Sequence, residues 1–332
     1  MVYKILEKIF KYNFINKFET YKLFNKIYYK KINKKNIISF LITIKIRGYY
    51  IDELLGSINL LLKKSKKINK PNFIFSDIVG TGGDNINSIN ISTISALIAS
   101  TYGIKVIKHG NYGISNVSGS FNILKKFNVN FNINSSKILN YLNNYNICFL
   151  FASKYNSIFN KVIEIRKKIK SSTLFNIIGP LINPLKPPII LIGVNDINLI
   201  LIIIKILKIL KYKNAAVVHG GGLDEVAIHS NTYISELKKN NIKTYQLEPE
   251  IIGLKRFSLN KILNFKEKKK YENFKNILKG KGNLAHNSII SANIGLLLKL
   301  FNKNNLLKNV KEILKIIKHG NSYKKILHLI KE

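Results

Sequence analysis

The sequence predicts an α/β protein: a small all-helical domain plus a larger α/β domain with a central, mostly parallel sheet. Three observations predict it. From the N-terminus to about residue 70, apolar residues recur at three- and four-residue spacing with no glycine between Met1 and Gly48, which is helical periodicity. From about residue 73, short apolar runs ending in glycine alternate with helical stretches, the pattern of parallel strands joined by helices. The stretch from about 156 to 185 carries two helices and no strand, so it is expected to rejoin the first domain. The expected domains are 1–70 with 156–185, and 73–153 with 187–332.

Each element has its local reason. "KKSKKINKPN" (63–72) is a polar stop closed by Pro71, a domain boundary. "FIFSDIVG" (73–80) is a buried strand and "NISTISALIASTYG" (90–103) the helix after it, with Gly103 at its end. "IKVIKHG" (104–110) and "GSFNILKKF" (119–127) repeat the pair, and "NICFLFAS" (146–153), "PPIILIGV" (187–194) and "NAAVVHGGG" (214–222) are further strands. The apolar run at 197–210 is interrupted by Lys205 and Lys208, with Lys211 following. That spacing makes one basic stripe on a helix and not a membrane span. After about 240 strand-like and helical pieces alternate before a final helical run.

Composition excludes several classes. The chain has 332 residues, 46% hydrophobic, enough for two domains and a large core. Its formal charge of +38 suggests nucleic acid, yet arginine occurs only at Arg47, Arg166 and Arg256. Base- and phosphate-reading surfaces favour the arginine fork. Here lysine is scattered among asparagine and isoleucine, as AT-rich codons would deliver, so no nucleic-acid partner and no membrane are expected. The basic, amphipathic first residues resemble a transit peptide, but their periodicity continues into the helical domain. The single cysteine, Cys148, permits no internal disulfide and fits a reducing cytoplasm.

The chemistry sits in strand-end loops. In "SDIVGTGGD" (76–84), Gly80, Gly82 and Gly83 follow a strand and lead toward a helix. Such a turn lets backbone N–H groups approach a phosphate, aided by the helix N-terminus. It is neither a Walker loop nor a dinucleotide fingerprint, since Lys-Ser/Thr and GxGxxG are both absent. Asp84 suits sugar hydroxyls or a cation. "NIST" (90–93) puts two hydroxyls at a helix start, "KHGNYGISNVSGS" (108–120) follows a strand, and "VVHGGGLDEV" (217–226) ends on Asp224 and Glu225. Adjacent carboxylates in a chain with only 17 acidic residues suit a hard cation such as Mg²⁺. Ligands of parallel sheets bind beyond the carboxyl ends of the strands. The residues alone therefore point to a Mg²⁺-dependent enzyme acting on a phosphorylated or pyrophosphorylated small molecule.

The ordered set GTGGD (80–84), NIST (90–93), KHGN (108–111) with GS (119–120), FNIIGPLINP (175–184) and HGGGLDE (219–225) resembles the anthranilate phosphoribosyltransferases. The resemblance spans about residues 73–226. Pyrimidine nucleoside phosphorylases share the fold but carry a different loop from KHGN. The resemblance implies the nucleoside phosphorylase/phosphoribosyltransferase type of fold, transfer of phosphoribosyl from phosphoribosyl pyrophosphate to anthranilate in tryptophan biosynthesis, and a homodimer through the helical domain. It assigns phosphoribosyl pyrophosphate to Gly80, Gly83, Asp84, Ser88, Asn90, Ile91, Ser92, Thr93, Lys108, His109, Gly110, Asn111, Ser115, Asn116 and Ser120. It assigns one Mg²⁺ to Ser92 and Glu225, a second to Asp224 and Glu225, and anthranilate to Gly80 and Asn111.

Departures from the family pattern gather on the anthranilate side. The arginine that normally precedes Thr-x-Phe-Asn falls on Ser172, the arginine of Lys-His-Gly-Asn-Arg on Tyr112, and a histidine on Asn156. The family's Ser-Ser is Ser115-Asn116, and its GSAD reads Gly119-Ser120-Phe121-Asn122. A desolvated carboxylate wants a cation, which Lys170 or Lys154 would supply. The alternatives are a phosphoribosyltransferase with another acceptor, a weakened enzyme, or, more distantly, a basic nucleic-acid binder. A non-catalytic relic would have lost all the loops together.

Overall fold

The computed structural model describes residues 2–83, 89–113, 119–131, 133–263 and 267–331. The chain divides into two compact units, Met1–Ile68 with Ala152–Lys186, and Asn69–Phe151 with Pro187–Glu332.

The first unit opens with four helices, α1 (Val2–Phe10), α2 (Lys17–Tyr28), α3 (Lys34–Arg47) and α4 (Ile51–Lys64). Asn16 caps α2 in a capping box with Glu19, satisfying orphan N–H groups at the helix start. The unit's polar centre is Glu53, fully buried, whose carboxylate accepts from the Arg47 guanidinium at 2.5 Å and the Ile15 N–H at 3.1 Å. Arg47 also donates to the Asn13 carbonyl at 2.6 Å. One buried ion pair thus ties the α1–α2 link to α3 and α4, and its spare valences are used, which is what makes such a pair tolerable.

In the second unit, β1 (Ser76–Gly80), α5 (Ile91–Thr101), β2 (Val106–Gly110), α6 (Ser120–Lys126), α7 (Ile138–Tyr145) and β3 (Ile147–Phe151) follow one another. The chain then re-enters the first unit as α8 (Ala152–Tyr155), α9 (Ile158–Ile169) and α10 (Leu174–Ile178). Back in the second unit come β4 (Ile189–Gly193), α11 (Leu199–Ile209), β5 (Asn214–His219), β6 (Thr232–Lys238), β7 (Asn241–Leu247), α12 (Glu267–Leu278), α13 (Leu284–Leu300), α14 (Leu306–His319) and α15 (Ser322–Lys331). On α11, Lys205 and Lys208 face solvent while Ile203, Ile204, Ile206 and Leu207 are buried, as the spacing predicts.

The seven strands form one sheet in the order β3-β2-β1-β4-β5-β6-β7. The first five run parallel, and β6 and β7 are antiparallel to their neighbours. The parallel strands are mostly buried, β4 on every residue, as two-sided covering requires. The sequence pattern passes over the β6–β7 hairpin. Its turn is Lys239-Asn240, both at positive φ, 48° and 64°, a conformation that hairpin turns need but usually announce with glycine. β1 begins at Ser76 and β2 at Val106 because those two residues pair across the sheet; the expected starts at 73 and 104 lie outside the ladder. Among the described residues no helix is long and apolar enough to cross a membrane.

Candidate active site

Because β1, β2, β4 and β5 are parallel, the loops that leave Gly80, Gly110, Gly193 and His219 emerge at one edge of the sheet. The chain leaves β1 toward β2 and later returns to β1's other side as β4, so the strand order reverses between β1 and β4. Gly80 and Gly193 face each other in register at that reversal. Such a crevice is where α/β sheets bind ligands.

Asp224 lies on it. A Cβ on Gly80 would collide with the Asp224 carboxylate, and one on Gly193 would collide with the Asp224 carbonyl. Both glycines are therefore there for backbone approach. The Gly82 N–H donates to Asp224 Oδ2 at 2.7 Å, and Gly82 and Gly83 both take positive φ, 61° and 77°. Thr81 secures the turn: its N–H donates to the Gly193 carbonyl at 3.0 Å and its hydroxyl accepts from Asn195 N–H at 3.4 Å. Glu225, next along, is buried. The Gly220–Leu223 turn that delivers the pair closes on itself with two backbone hydrogen bonds of 3.0 and 3.1 Å.

The second layer of the site is Lys108. Its side chain is almost fully buried, and Nζ donates to the Ile78 carbonyl at 2.7 Å and the Ser92 hydroxyl at 3.2 Å. Burial pushes its pKa below the ordinary lysine value, opposed by the carboxylates of Asp77, Glu225 and Asp224. Lys108 thereby links β1, β2 and the first turn of α5. His109, also buried, donates its N–H to Asp77 Oδ2 at 3.3 Å. Asn90 sits at the α5 N-cap in a left-handed conformation, φ 55°. Ile91 and Thr93 are buried, while Ser92 is half-buried.

Asn111 is half-buried and its Oδ1 accepts from the Tyr112 N–H at 2.9 Å. Gly110 ends β2 in register with Phe151. Asn122 Oδ1 accepts from both Gly113 N–H and Gly119 N–H, at 3.0 and 3.1 Å. Tyr112 packs edge-on against Phe151 at 4.9 Å, with Phe121 and Phe131 completing an aromatic cluster. The residues that replace the family's arginine and alanine here thus pack together. Asp84, Ser88, Ser115 and Asn116 lie outside the described residues, as does the Ser120 side chain.

In the helical unit, Ser172 is half-buried just ahead of Thr173, the N-cap of α10. Lys170 is exposed at the C-cap of α9 with φ 53°. Lys154 is half-buried, and desolvation with the nearby Lys66 charge lowers its pKa. Asn156 is buried and donates to the Leu61 carbonyl at 2.8 Å, a scaffold role. Sequence reasoning passed over Lys45, whose ammonium donates to the Ser171 hydroxyl beside Ser172. It also passed over Arg166, half-buried and donating to Asn176 Oδ1 at 2.9 Å, its pKa lowered to about 10 by desolvation.

Among the described residues no group of three His, Cys, Asp or Glu side chains converges. The donors that the resemblance assigns to a cation, Asp224 at the reversal point, Glu225 beside it in sequence and the Ser92 hydroxyl bonded to Lys108, are all oxygen. Mg²⁺ takes oxygen ligands, one or two carboxylates plus substrate phosphates and water, so the set fits that ion and would not hold one as a closed protein cage.

Known proteins place this arrangement. A model of the glycosyl transferase family, a/b domain, matches residues 72–323. An anthranilate phosphoribosyltransferase of Buchnera aphidicola subsp. Schlechtendalia chinensis is 47% identical over 327 residues, 98% of this chain and 99% of that protein. The chain belongs to the anthranilate phosphoribosyltransferase family. A more distant family member, from Serratia proteamaculans, is 40% identical over 325 residues, 98% of each chain. The crystal structure from Thermus thermophilus matches at TM-score 0.89 and 23% identity, covering 98% of both chains. The Saccharomyces cerevisiae structure in complex with PRPP and Mg matches at 0.88 and 24%, over 99% of this chain and 97% of that one. These two likenesses establish the fold of the family in this chain. The helical region followed by an α/β domain with a mostly parallel sheet is that fold.

Proposed function

We infer that the chain transfers the phosphoribosyl group of phosphoribosyl pyrophosphate to the amine of anthranilate, giving phosphoribosylanthranilate and pyrophosphate, a step of tryptophan biosynthesis. The observation that carries this reading is the Asp224 carboxylate held over Gly80 and Gly193 by the Gly82 N–H. In the reaction, a bond forms between the anthranilate nitrogen and the anomeric carbon as the bond from that carbon to the pyrophosphate oxygen breaks. The amine is weakly basic and neutral at pH 7, so its lone pair is ready and the released proton passes to solvent. The demand on the protein is the growing charge on the leaving group.

The Gly82 N–H is taken by Asp224, so the rest of the turn, from Gly83 on, and the first turn of α5 are the backbone N–H groups proposed for that charge. Ser92, positioned by Lys108, and the Asp224–Glu225 pair would hold Mg²⁺, two ions per subunit, which neutralises the diphosphate when bound. Gly80, Gly83, Asp84, Ser88, the 90–93 run, the 108–116 loop and Ser120 are the residues proposed for phosphoribosyl pyrophosphate. Asn111 and Gly80 are proposed for anthranilate, with Lys170 replacing the cation absent at Ser172. Alignment of the substrates then supplies much of the rate.

The helical unit exposes the large apolar side chains Tyr3, Phe10, Phe14, Phe18, Ile46 and Tyr50, the kind of surface a partner covers where such residues are contiguous. A second copy of this chain is the occupant we assign, giving a homodimer whose mass light scattering would read. Working in the cytoplasm is consistent with Cys148, free and buried.

The deciding experiment follows pyrophosphate release with anthranilate and with a panel of other aromatic acids and amines. Release driven by anthranilate above all others is expected. Release with a different acceptor and none with anthranilate would reassign the substrate.

A further inference from the structure

We propose that Asn293, a buried residue of α13 far from the glycine loops in sequence, positions the Asp224–Glu225 pair. The proposal rests on the reading of that pair as metal ligands. Asn293 is fully buried. Its Oδ1 accepts from the Val226 N–H at 2.9 Å, and its Nδ2 donates to the Val226 carbonyl at 3.0 Å and the Ile289 carbonyl at 2.8 Å. One side-chain amide therefore satisfies both polar groups of the residue that follows Glu225. The orientation is fixed, since a flipped amide would set its oxygen against two carbonyls.

The segment needs this. Residues 224–227 belong to no strand, and Val226 is fully buried, so its peptide groups have no ladder to join and no water to meet. Ala227, next, gives its N–H to the Thr232 hydroxyl at 2.9 Å. Asn293 thus ties the chain immediately after the acid pair to a 17-residue helix that is buried along most of its length. Gly82 ties the pair from the other side, through Asp224. Without Asn293 both carboxylates keep their chemistry and lose their place, which for outer partners of metal ligands typically costs roughly 10- to 100-fold in affinity.

The test is Mn²⁺ binding, with Mn²⁺ standing in for Mg²⁺, measured by the electron paramagnetic resonance signal of free Mn²⁺ in the presence of phosphoribosyl pyrophosphate and without anthranilate. Wild type, Asn293→Ala, the isosteric Asn293→Asp and a control, Asn309→Ala, are compared well below their melting temperatures. Asn309 is also buried and bonds the carbonyls of Gly295 and Lys303 at 3.2 and 2.7 Å, so its loss destabilises the same helices without touching the loop. Asn293→Asp keeps the acceptor and loses both donors, and it serves if the alanine variant does not fold. The expected result is Mn²⁺ affinity weakened roughly tenfold or more in the Asn293 variants and unchanged in Asn309→Ala. Unchanged affinity in the Asn293 variants, or equal weakening in the control, would overturn the proposal. A wild type that binds no Mn²⁺ would instead sink the metal-site reading beneath it.

Discussion

The Gly82 N–H and the Asp224 carboxylate, 142 residues apart in sequence, meet at 2.7 Å. This one bond joins the glycine turn after β1 to the acid pair after β5, across the point where the strand order reverses. The turn fixes the direction of the carboxylate at the cost of one of its own N–H donors, an arrangement that suits a carboxylate meeting a phosphate through a cation rather than directly.

Gly80→Ala should therefore act on catalysis more than on folding. The new methyl group meets the Asp224 carboxylate, a side chain that can swing away and leave the sheet intact. Displacement of about an ångström at a reacting centre typically costs on the order of 100-fold. Steady-state turnover should fall by about that factor while the circular dichroism spectrum stays unchanged. Wild-type turnover in Gly80→Ala would mean that Asp224 has no fixed station.

Much of this was legible in the sequence, because glycine and paired acids are rare in this chain and each marks a backbone or charge requirement. The convergence itself was not. Nothing in "GTGGD" or "HGGGLDE" says that Gly193, an unremarked strand residue, must also lack a side chain beneath Asp224. Lys108 reads as a ligand-facing lysine, yet its ammonium is turned onto Ile78 and Ser92. Asn293 lies in an apolar helix with no local signal. The β6–β7 hairpin went unseen because Lys239 occupies a positive-φ position normally betrayed by glycine.

Glu53 offers a test of the helical unit alone. Removing its carboxylate leaves the Arg47 guanidinium buried and the Ile15 N–H without its acceptor. Breaking a buried pair in this way costs about 3–5 kcal/mol. Urea denaturation of Glu53→Ala should show a loss of that order. A change below about 1 kcal/mol would place the pair in the class of exposed bridges.

His286 should confer a pH dependence on stability. Desolvation lowers its pKa to about 4 from an ordinary 6.5, partly offset by a hydrogen bond with the Ile262 backbone. Between those values the unfolded chain binds a proton that the folded chain refuses. Stability is thus fully present above about pH 6.5 and falls as pH drops toward 4, by up to about 3 kcal/mol at about 1.4 kcal/mol per pH unit. In His286→Gln the melting temperature should decline less over that range than in wild type. An identical decline would assign the acid sensitivity to carboxylates alone.

Lys170→Ala should raise the Michaelis constant for anthranilate roughly tenfold, the worth of one hydrogen bond to a charged group at about 1.5 kcal/mol, with little effect on that for phosphoribosyl pyrophosphate. Lys45→Ala, which removes the ammonium beside Ser171, is the parallel measurement. If only the second variant moves the constant, the cation belongs to α3. If neither does, Lys154 or neutral donors meet the carboxylate, and Lys154→Ala separates the two.

The most direct measurement is the loss of anthranilate fluorescence when the purified chain is mixed with phosphoribosyl pyrophosphate and Mg²⁺, compared with the Asp224→Ala, Glu225→Ala double variant. Steady consumption of anthranilate that requires Mg²⁺ and falls by roughly 100-fold or more in the double variant, on the order expected when charge stabilisation of a leaving group is removed, is the predicted result. Equal consumption by both proteins, or none by the wild type, would contradict the account.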